Sequence, residues 1–416
     1  MSENLKINQT PIPGGVCAPK GFIAGGVHCG IRRNQSKKDV CLIAAECECT
    51  AAAVYTQNLV KGAPLAVTKR HLENGRARAV ICNSGNANTC APWGEAHAEA
   101  MCQIAAEILG IDENDVMVAS TGVIGQELPI DPIKSAADAL RISLSADENG
   151  SDAAANAIMT TDTFKKEYAC SFALNGVECK IGGIAKGSGM INPNMATMLA
   201  FITTDVKITP QALQTAVRNA AKSTFNTICV DGDTSTNDMF TVLASGLAGN
   251  REITENSPLF DVFTRVLTDL CTLLSRDLAR DGEGATKLIT CAVYGASSPE
   301  AARVLAKSVV SSSLVKAAMF GSDANWGRVL CALGYAGVDF DPETVEVVFF
   351  SEAGQVKVCE SGRGLPFDEE HAKRVLREDE INIKVSLQSG SPEIFGAALG
   401  CDLTYDYVKI NGDYRT

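Results

Sequence analysis

The sequence predicts a mixed α/β (α+β) fold. Capped amphipathic helices alternate with apolar runs of strand length, and neither element is segregated to one half of the chain. Size adds a second bound, because 416 residues bury a large core and suffice for two or three subdomains.

The elements follow in order. Residues 78–82 and 115–119 read as strands, and between them Gly94–Leu109 spaces Ala, Met, Ile and Leu on a helical period and stops at Gly110. The polar stretch 147–152 (Asp-Glu-Asn-Gly-Ser-Asp) reads as a linker. A strand is expected over 197–203, then a helix opened by Thr209-Pro210 and running to about Ser223. There Thr serves as N-cap and Pro occupies the first helical position. Residues 239–244 form the next strand, Ser257-Pro258 opens a helix to about Ala279, and Ser298-Pro299-Glu300 opens another. Residues 287–294, 345–350, 355–359 and 383–387 complete the strands, with a last one at 403–410 leading to the terminus.

Composition narrows the function. The balance of 37 Lys+Arg against 49 Asp+Glu gives a net charge of −12. Nucleic acid is therefore not an expected partner, since phosphate binding needs a basic footprint. A local cationic site remains compatible with an acidic surface. No apolar run reaches the roughly 18 residues of a membrane span. The start, Met-Ser-Glu-Asn-Leu-Lys-Ile-Asn, has no apolar signal core. A cytoplasmic protein is expected. The 16 cysteines are scattered, many in apolar strand-like runs such as those holding Cys82, Cys291 and Cys331, and are expected to be buried small hydrophobes. Cys47-Glu-Cys49 is the one tight pair, and His28, His71, His97 and His371 are too dispersed for a metal cluster. No metal and no cofactor are expected.

Familiar catalytic motifs do not fit. Lys186-Gly-Ser lacks the spacing of a phosphate-binding loop, and no Gly-x-Ser-x-Gly elbow occurs. Asp231-Gly-Asp-Thr-Ser-Thr-Asn-Asp238 lacks the glycine and closing glutamate of a calcium loop and reads as a polar loop.

One junction stands apart. In Lys186-Gly-Ser-Gly-Met-Ile-Asn-Pro-Asn-Met-Ala-Thr197, small Ala196 precedes Thr197 after flexible Gly187 and Gly189 and the turn residues Asn192-Pro193-Asn194. A cut after Ala196 would free the α-amino group of Thr197. That group titrates near ~7.7–8.0 and can act as base for the hydroxyl beside it. On the residues alone, a threonine opening a strand is ordinarily just a β-former. Likewise Ser120-Thr121-Gly122 at a strand end reads as a plain turn, although such a turn can expose a backbone N–H to an oxyanion.

The run 186–199 closely resembles the self-cleavage segment of the ornithine acetyltransferases, the glutamate N-acetyltransferases of arginine biosynthesis. So do Asn83-Ser-Gly-Asn-Ala-Asn88, Ser120-Thr-Gly-Val-Ile-Gly125, Thr160-Thr-Asp-Thr163, Asp231 to Asp238, Arg280-Asp-Gly-Glu-Gly-Ala-Thr-Lys287, Gly321-Ser-Asp-Ala-Asn-Trp-Gly-Arg328 and Asn411-Gly-Asp-Tyr-Arg-Thr416. These segments occur in the family's order from near the start to the last residue.

The resemblance implies an α/β/β/α layered sandwich with a smaller C-terminal subdomain. It implies self-cleavage between Ala196 and Thr197 into chains 1–196 and 197–416, associating as a heterotetramer of two alpha and two beta chains. Thr197 becomes the nucleophile that carries acetyl from N2-acetylornithine to glutamate. Thr121 and Gly122 hold the oxyanion, and Thr160, Lys186, Thr197, Glu283, Asn411 and Thr416 contact the substrate. Lys186 offers a cation to a carboxylate, Glu283 an anion to an amino group, and Asn411 and Thr416 polar contacts. Acetyl-CoA is a candidate co-substrate, since many family members are bifunctional. The alternatives are an N-terminal-nucleophile aminopeptidase and a non-catalytic amino-acid-binding protein.

Overall fold

The computed structural model describes residues 9–192 and 198–412. The chain runs through β1 (Thr10–Pro11), β2 (Phe22–Val27), β3 (Val40–Tyr55), α1 (Ala63–His71), β4 (Arg76–Asn86), α2 (Gly94–Leu109) and β5 (Val116–Val123). Helices α3 (Ile130–Ser135), α4 (Ala137–Ser143) and α5 (Glu148–Ile158) precede the hairpin of β6 (Lys166–Leu174) and β7 (Val177–Lys186). Next come β8 (Leu199–Thr204), α6 (Pro210–Ser223), β9 (Ile228–Cys229), β10 (Met239–Ala244) and α7 (Leu259–Arg280). Then follow β11 (Leu288–Tyr294), α8 (Pro299–Ser311), α9 (Ser313–Phe320), α10 (Trp326–Gly334) and β12 (Glu346–Ser351). The chain closes with β13 (Gly354–Glu360), β14 (Arg363–Gly364), α11 (Glu369–Leu376), β15 (Glu380–Ser386), β16 (Phe395–Cys401) and α12 (Tyr405–Gly412). These elements divide into two compact units, one of residues 9–187, 198–226 and 234–274, the other of residues 188–192, 227–233 and 275–412.

The first unit is organised by β3. Its residues 40–45 pair with β2, 40–50 with β4 and 50–55 with β10, all antiparallel, with a register shift between Ala44 and Cys49. One continuous nine-stranded sheet results, in the order β1-β6-β7-β8-β10-β3-β4-β5, with β2 also on β3. Alternation along β3 sorts side chains to two faces. Val40, Leu42 and Ala44 pack with Ala98, Met101, Cys102 and Ala105 of α2. Cys41 and Ile43 share a second core with Leu199 and Phe201 of β8, Met239 and Leu243 of β10, and Ala154 and Ile158 of α5. Phe240 turns the other way and meets Phe225, just past α6, edge-on at 5.1 Å. The four layers expected from the family resemblance are therefore present, and both β layers come from one sheet turned through β3.

Residues 147–152, expected as a linker, instead begin α5. Asp147 caps that helix by accepting from Asn149 N–H and Gly150 N–H. The glycine there serves close packing. A Cβ on Gly150 would lie 2.5 Å from Ala24 O, and one on Gly26 would lie 2.4 Å from Ala153 O. The absent side chains let α5 sit directly on β2, where sequence composition suggested only flexibility. The contact fixes where the chain emerges after Ile158, and the Ser84 hydroxyl donates to Ala157 O at 2.6 Å to tie that end to β4.

The second unit carries a seven-stranded sheet, β14-β13-β12-β15-β11-β16-β9. Helix α8 approaches β16 closely because Gly396 leaves room, a Cβ there being 2.5 Å from Arg303 N. The expected strand at 403–410 is helix α12. Thr404 Oγ1 accepts from Tyr407 N at 3.3 Å, and the apolar residues of this stretch are not core, Tyr405 being 84 % exposed and Val408 68 %. Alternating apolar residues there imitate a strand without burying a face. Two ties hold the helix start: Asp402 accepts from Thr286 N–H and Lys287 N–H at 2.8 and 3.0 Å, and Thr404 Oγ1 donates to Gly284 O at 2.7 Å.

Gly150→Ala is expected to destabilise the first unit by about 1–3 kcal/mol, because the new methyl meets backbone rather than a movable side chain. Urea unfolding followed by circular dichroism measures this.

Candidate active site

In the first unit, the strand ends of β4 and β5 place Thr121 and Gly122. The two strands run parallel with Gly85 opposite Gly122, and the register breaks at Asn86. Gly122 has φ +135°, and a Cβ there would lie 2.3 Å from Gly85 C and 2.5 Å from Asn86 N. No other residue fits without moving backbone. Half-buried Thr121 receives a hydrogen bond from Lys186 Nζ at 3.3 Å. A hydroxyl that accepts through a lone pair keeps its single hydrogen to donate, and donation from a cation strengthens it as a donor.

Lys186 ends β7 and is buried. Burial pushes its ammonium below the usual lysine range, against the opposing attraction of Asp162. Asp162 is itself buried, with Thr160 N–H at 2.8 Å from Oδ2, and with Lys166 Nζ at 2.8 Å and Gly187 N–H at 2.7 Å from Oδ1. Burial alone would raise its pKa, but Lys166 and Lys186 together with these hydrogen bonds hold the carboxylate well below its ordinary range. Thr160 thus hangs from Asp162, and the Arg32 guanidinium fixes the residue before it by donating to Met159 O. Asp238 is also buried in this unit, and burial pushes its pKa well up.

In the second unit, Glu283 and Asn411 meet. Asn411 Nδ2 donates to Glu283 Oε2 at 2.8 Å and to Tyr407 O, one helical turn back, at 3.1 Å. Gly189 backs the carboxylate so closely that a Cβ would lie 2.3 Å from Oε2. Gly284 has φ +68°, and a Cβ there would lie 2.6 Å from Tyr407 N, so α12 can lie against this turn. Asp231 accepts Met190 N–H at 2.6 Å and Ile191 N–H at 2.9 Å, holding Met190 at φ +56°. Burial raises the pKa of Asp231, and burial followed by the charges of Asp231 and Glu283 raises that of Tyr407.

The residues singled out in the sequence fall into two groups: Thr121, Gly122, Thr160 and Lys186 in the first unit, Glu283 and Asn411 in the second. Ala196, Thr197 and Thr416 lie outside the described residues. Sequence reasoning passed over Asp162, Asp231 and Tyr407. Asp162 stood inside the quoted Thr160-Thr-Asp-Thr163 run, and its proximity to Thr160 was the available signal. Asp231 was read as part of a polar loop; its oxygens are taken by backbone N–H groups, so it acts as a brace. Twelve cysteines are buried, whereas Cys331, expected in an apolar strand, is exposed on α10. Among the described residues, no group of three His, Cys, Asp or Glu is placed to hold a metal ion, and no helix is long and apolar enough to cross a membrane.

The ArgJ family profile matches residues 23–416. The arginine biosynthesis bifunctional protein ArgJ of Symbiobacterium thermophilum is 51% identical over 407 residues, 97% of this chain and 99% of that one. Its namesake in Caldanaerobacter subterraneus is 48% identical over 406 residues, again 97% and 99% of the two chains. A crystal structure of the arginine biosynthesis bifunctional protein from Bacillus halodurans is 45% identical, covering 51% of this chain and 97% of its own with a TM-score of 0.48. Identity near one half along almost the full length of both partners is far beyond chance likeness, and the chain belongs to the ArgJ family.

Proposed function

We propose that this chain transfers acetyl from N2-acetyl-L-ornithine to L-glutamate through an acetyl-Thr197 ester, as a step of arginine biosynthesis. Family membership supports acyl transfer over an aminopeptidase or a non-catalytic binding protein. Within the molecule, the contact of Lys186 with the Thr121 hydroxyl beside Gly122 carries the reading.

In the first reaction, Thr197 Oγ adds to the Ala196 carbonyl. The C–N bond breaks, its electrons pass to the Thr197 nitrogen, and that nitrogen gains a proton. Water hydrolyses the resulting ester, leaving an Ala196 carboxylate and a free Thr197 hydroxyl. In each turnover, the Thr197 amine takes the hydroxyl proton while Oγ attacks the acetyl carbonyl. The Thr121 hydroxyl and Gly122 N–H donate to the oxyanion, and ornithine leaves as the free amine. Glutamate then attacks acetyl-Thr197 through its amino group and departs as N-acetylglutamate.

Lys186 pairs with a substrate carboxylate and Glu283 with an amino group, while Thr160, Asn411 and Thr416 add polar contacts. The neutral carboxamide of Asn411 satisfies one Glu283 oxygen without cancelling its charge. The curated relatives are named bifunctional, and acetyl-CoA serves here as a second donor to the same threonine. The scheme calls for no other cofactor. The two pieces remain joined after the cut, because β8 lies between β7 and β10 and shares its core with β3 and β5. They assemble in the cytoplasm as a heterotetramer of two alpha and two beta chains.

Mass spectrometry of purified protein should show fragments 1–196 and 197–416, with Thr197→Ala uncut and inactive. A single intact chain in active protein overturns the scheme. Initial-rate kinetics should give parallel double-reciprocal lines, and omitting glutamate should leave one acetyl mass on the 197–416 fragment. Thr121→Val should lower kcat on the order of 10²–10³-fold with little change in KM, as removal of an oxyanion donor does. Asn411→Ala should raise KM for N2-acetylornithine several-fold while the cut after Ala196 proceeds. A changed kcat at constant KM would remove Asn411 from substrate binding.

A further inference from the structure

Asn237 stands outside every role assigned so far, yet it is among the most fully bonded side chains in the first unit. It is buried, with Nδ2 at 2.5 Å from Ala87 O and 2.9 Å from Ser120 O. Its Oδ1 lies 2.6 Å from both the Thr89 and the Thr236 hydroxyl oxygens. Carbonyl oxygens only accept, so the NH2 group must face Ala87 and Ser120, and the two hydroxyls donate to Oδ1. All four hydrogen-bonding directions of the carboxamide are used, and its orientation is fixed by chemistry rather than by shape.

Ser120 O belongs to the same peptide group as Thr121 N. That group is planar and trans, so pinning the carbonyl sets the direction of the Thr121 N–H and the start of the Thr121–Gly122 turn. Gly62 presses on the amide from the other side, where a Cβ would lie 2.5 Å from Nδ2. Its φ of −63° suits any residue, so the absent side chain there answers to space around Asn237.

We propose that Asn237 is the positioning residue of the oxyanion donors: its carboxamide aims the Ser120–Thr121 peptide, and through it the Thr121 hydroxyl and Gly122 N–H. The inference rests on the oxyanion role given above to Thr121 and Gly122. Asn237 also lies downstream of the proposed cut while Ser120 lies upstream. The donors in one piece are therefore aligned by a side chain of the other.

The test is a double-mutant cycle in the full-length enzyme. Asn237→Ala should lower kcat on the order of 10²-fold, the effect of misplacing a catalytic group by about 1 Å, with KM for N2-acetylornithine within about twofold. Combined with Thr121→Val, it should lower kcat little further than Thr121→Val alone, since both act on one donor set. Gly62→Ala keeps Asn237 but pushes its amide. It should show a smaller fall in kcat with the same non-additivity, and it serves as the test if Asn237→Ala does not fold. Multiplying effects on kcat, or an unchanged kcat in both Asn237→Ala and Gly62→Ala, would overturn the inference and leave the oxyanion assignment standing. Undiminished turnover in Thr121→Val would overturn both.

Discussion

A carboxylate withdrawn from water must be matched by charges and N–H groups, and Asp162 gathers the first unit's group of candidate residues by meeting that requirement. Its partners come from the residues after α5, the start of β6 and the end of β7: Thr160, Lys166, Lys186 and Gly187. The loop after α5 and both strands of the β6–β7 hairpin are thereby fixed at one point. Breaking a buried pair strands the remaining charge, which typically costs about 3–5 kcal/mol, so this junction has little freedom to drift. Lys186 reaches Thr121 from a base anchored at Asp162.

In the second unit Glu283 is held in another way, by a neutral carboxamide and by the absence of a side chain at Gly189, and α12 is stapled to the same turn through Asp402 and Thr404. The first unit thus neutralises its central carboxylate internally, whereas the second orients a carboxylate and leaves its charge in place.

Elements whose signal is local were legible in the sequence. The Thr209 and Ser298 caps and their following prolines predicted α6 and α8, because an N-cap hydrogen bond spans only three residues. Elements defined by distant contact were not. The glycines of α5 looked like a linker until β2 supplied the surface they pack against, and the alternation at 403–410 signalled a strand although no sheet edge receives it. The site divides the same way. Thr121, Gly122, Lys186, Glu283 and Asn411 stand out as candidates only within whole motifs, since a motif records chemistry that single residues conceal. Asp162 and Asn237 do not stand out, because the importance of Asp162 lies in its burial beside two lysines and that of Asn237 in the remote backbone carbonyls it binds.

The distribution of thiols has a practical consequence. Cys82, Cys271 and Cys291 are buried, and burial raises their pKa values, so little reactive thiolate exists at neutral pH. Cys29, only half-buried, is likewise pushed up to about 12 by burial and the adjacent Asp39 charge. Cys90 and Cys331 are exposed, and they fall one in each compact unit. A maleimide dye or spin label therefore meets its most exposed thiols at these two positions in the native chain. The molecule carries a built-in pair of reporters, one on each unit, through which spectroscopy can follow the two units separately.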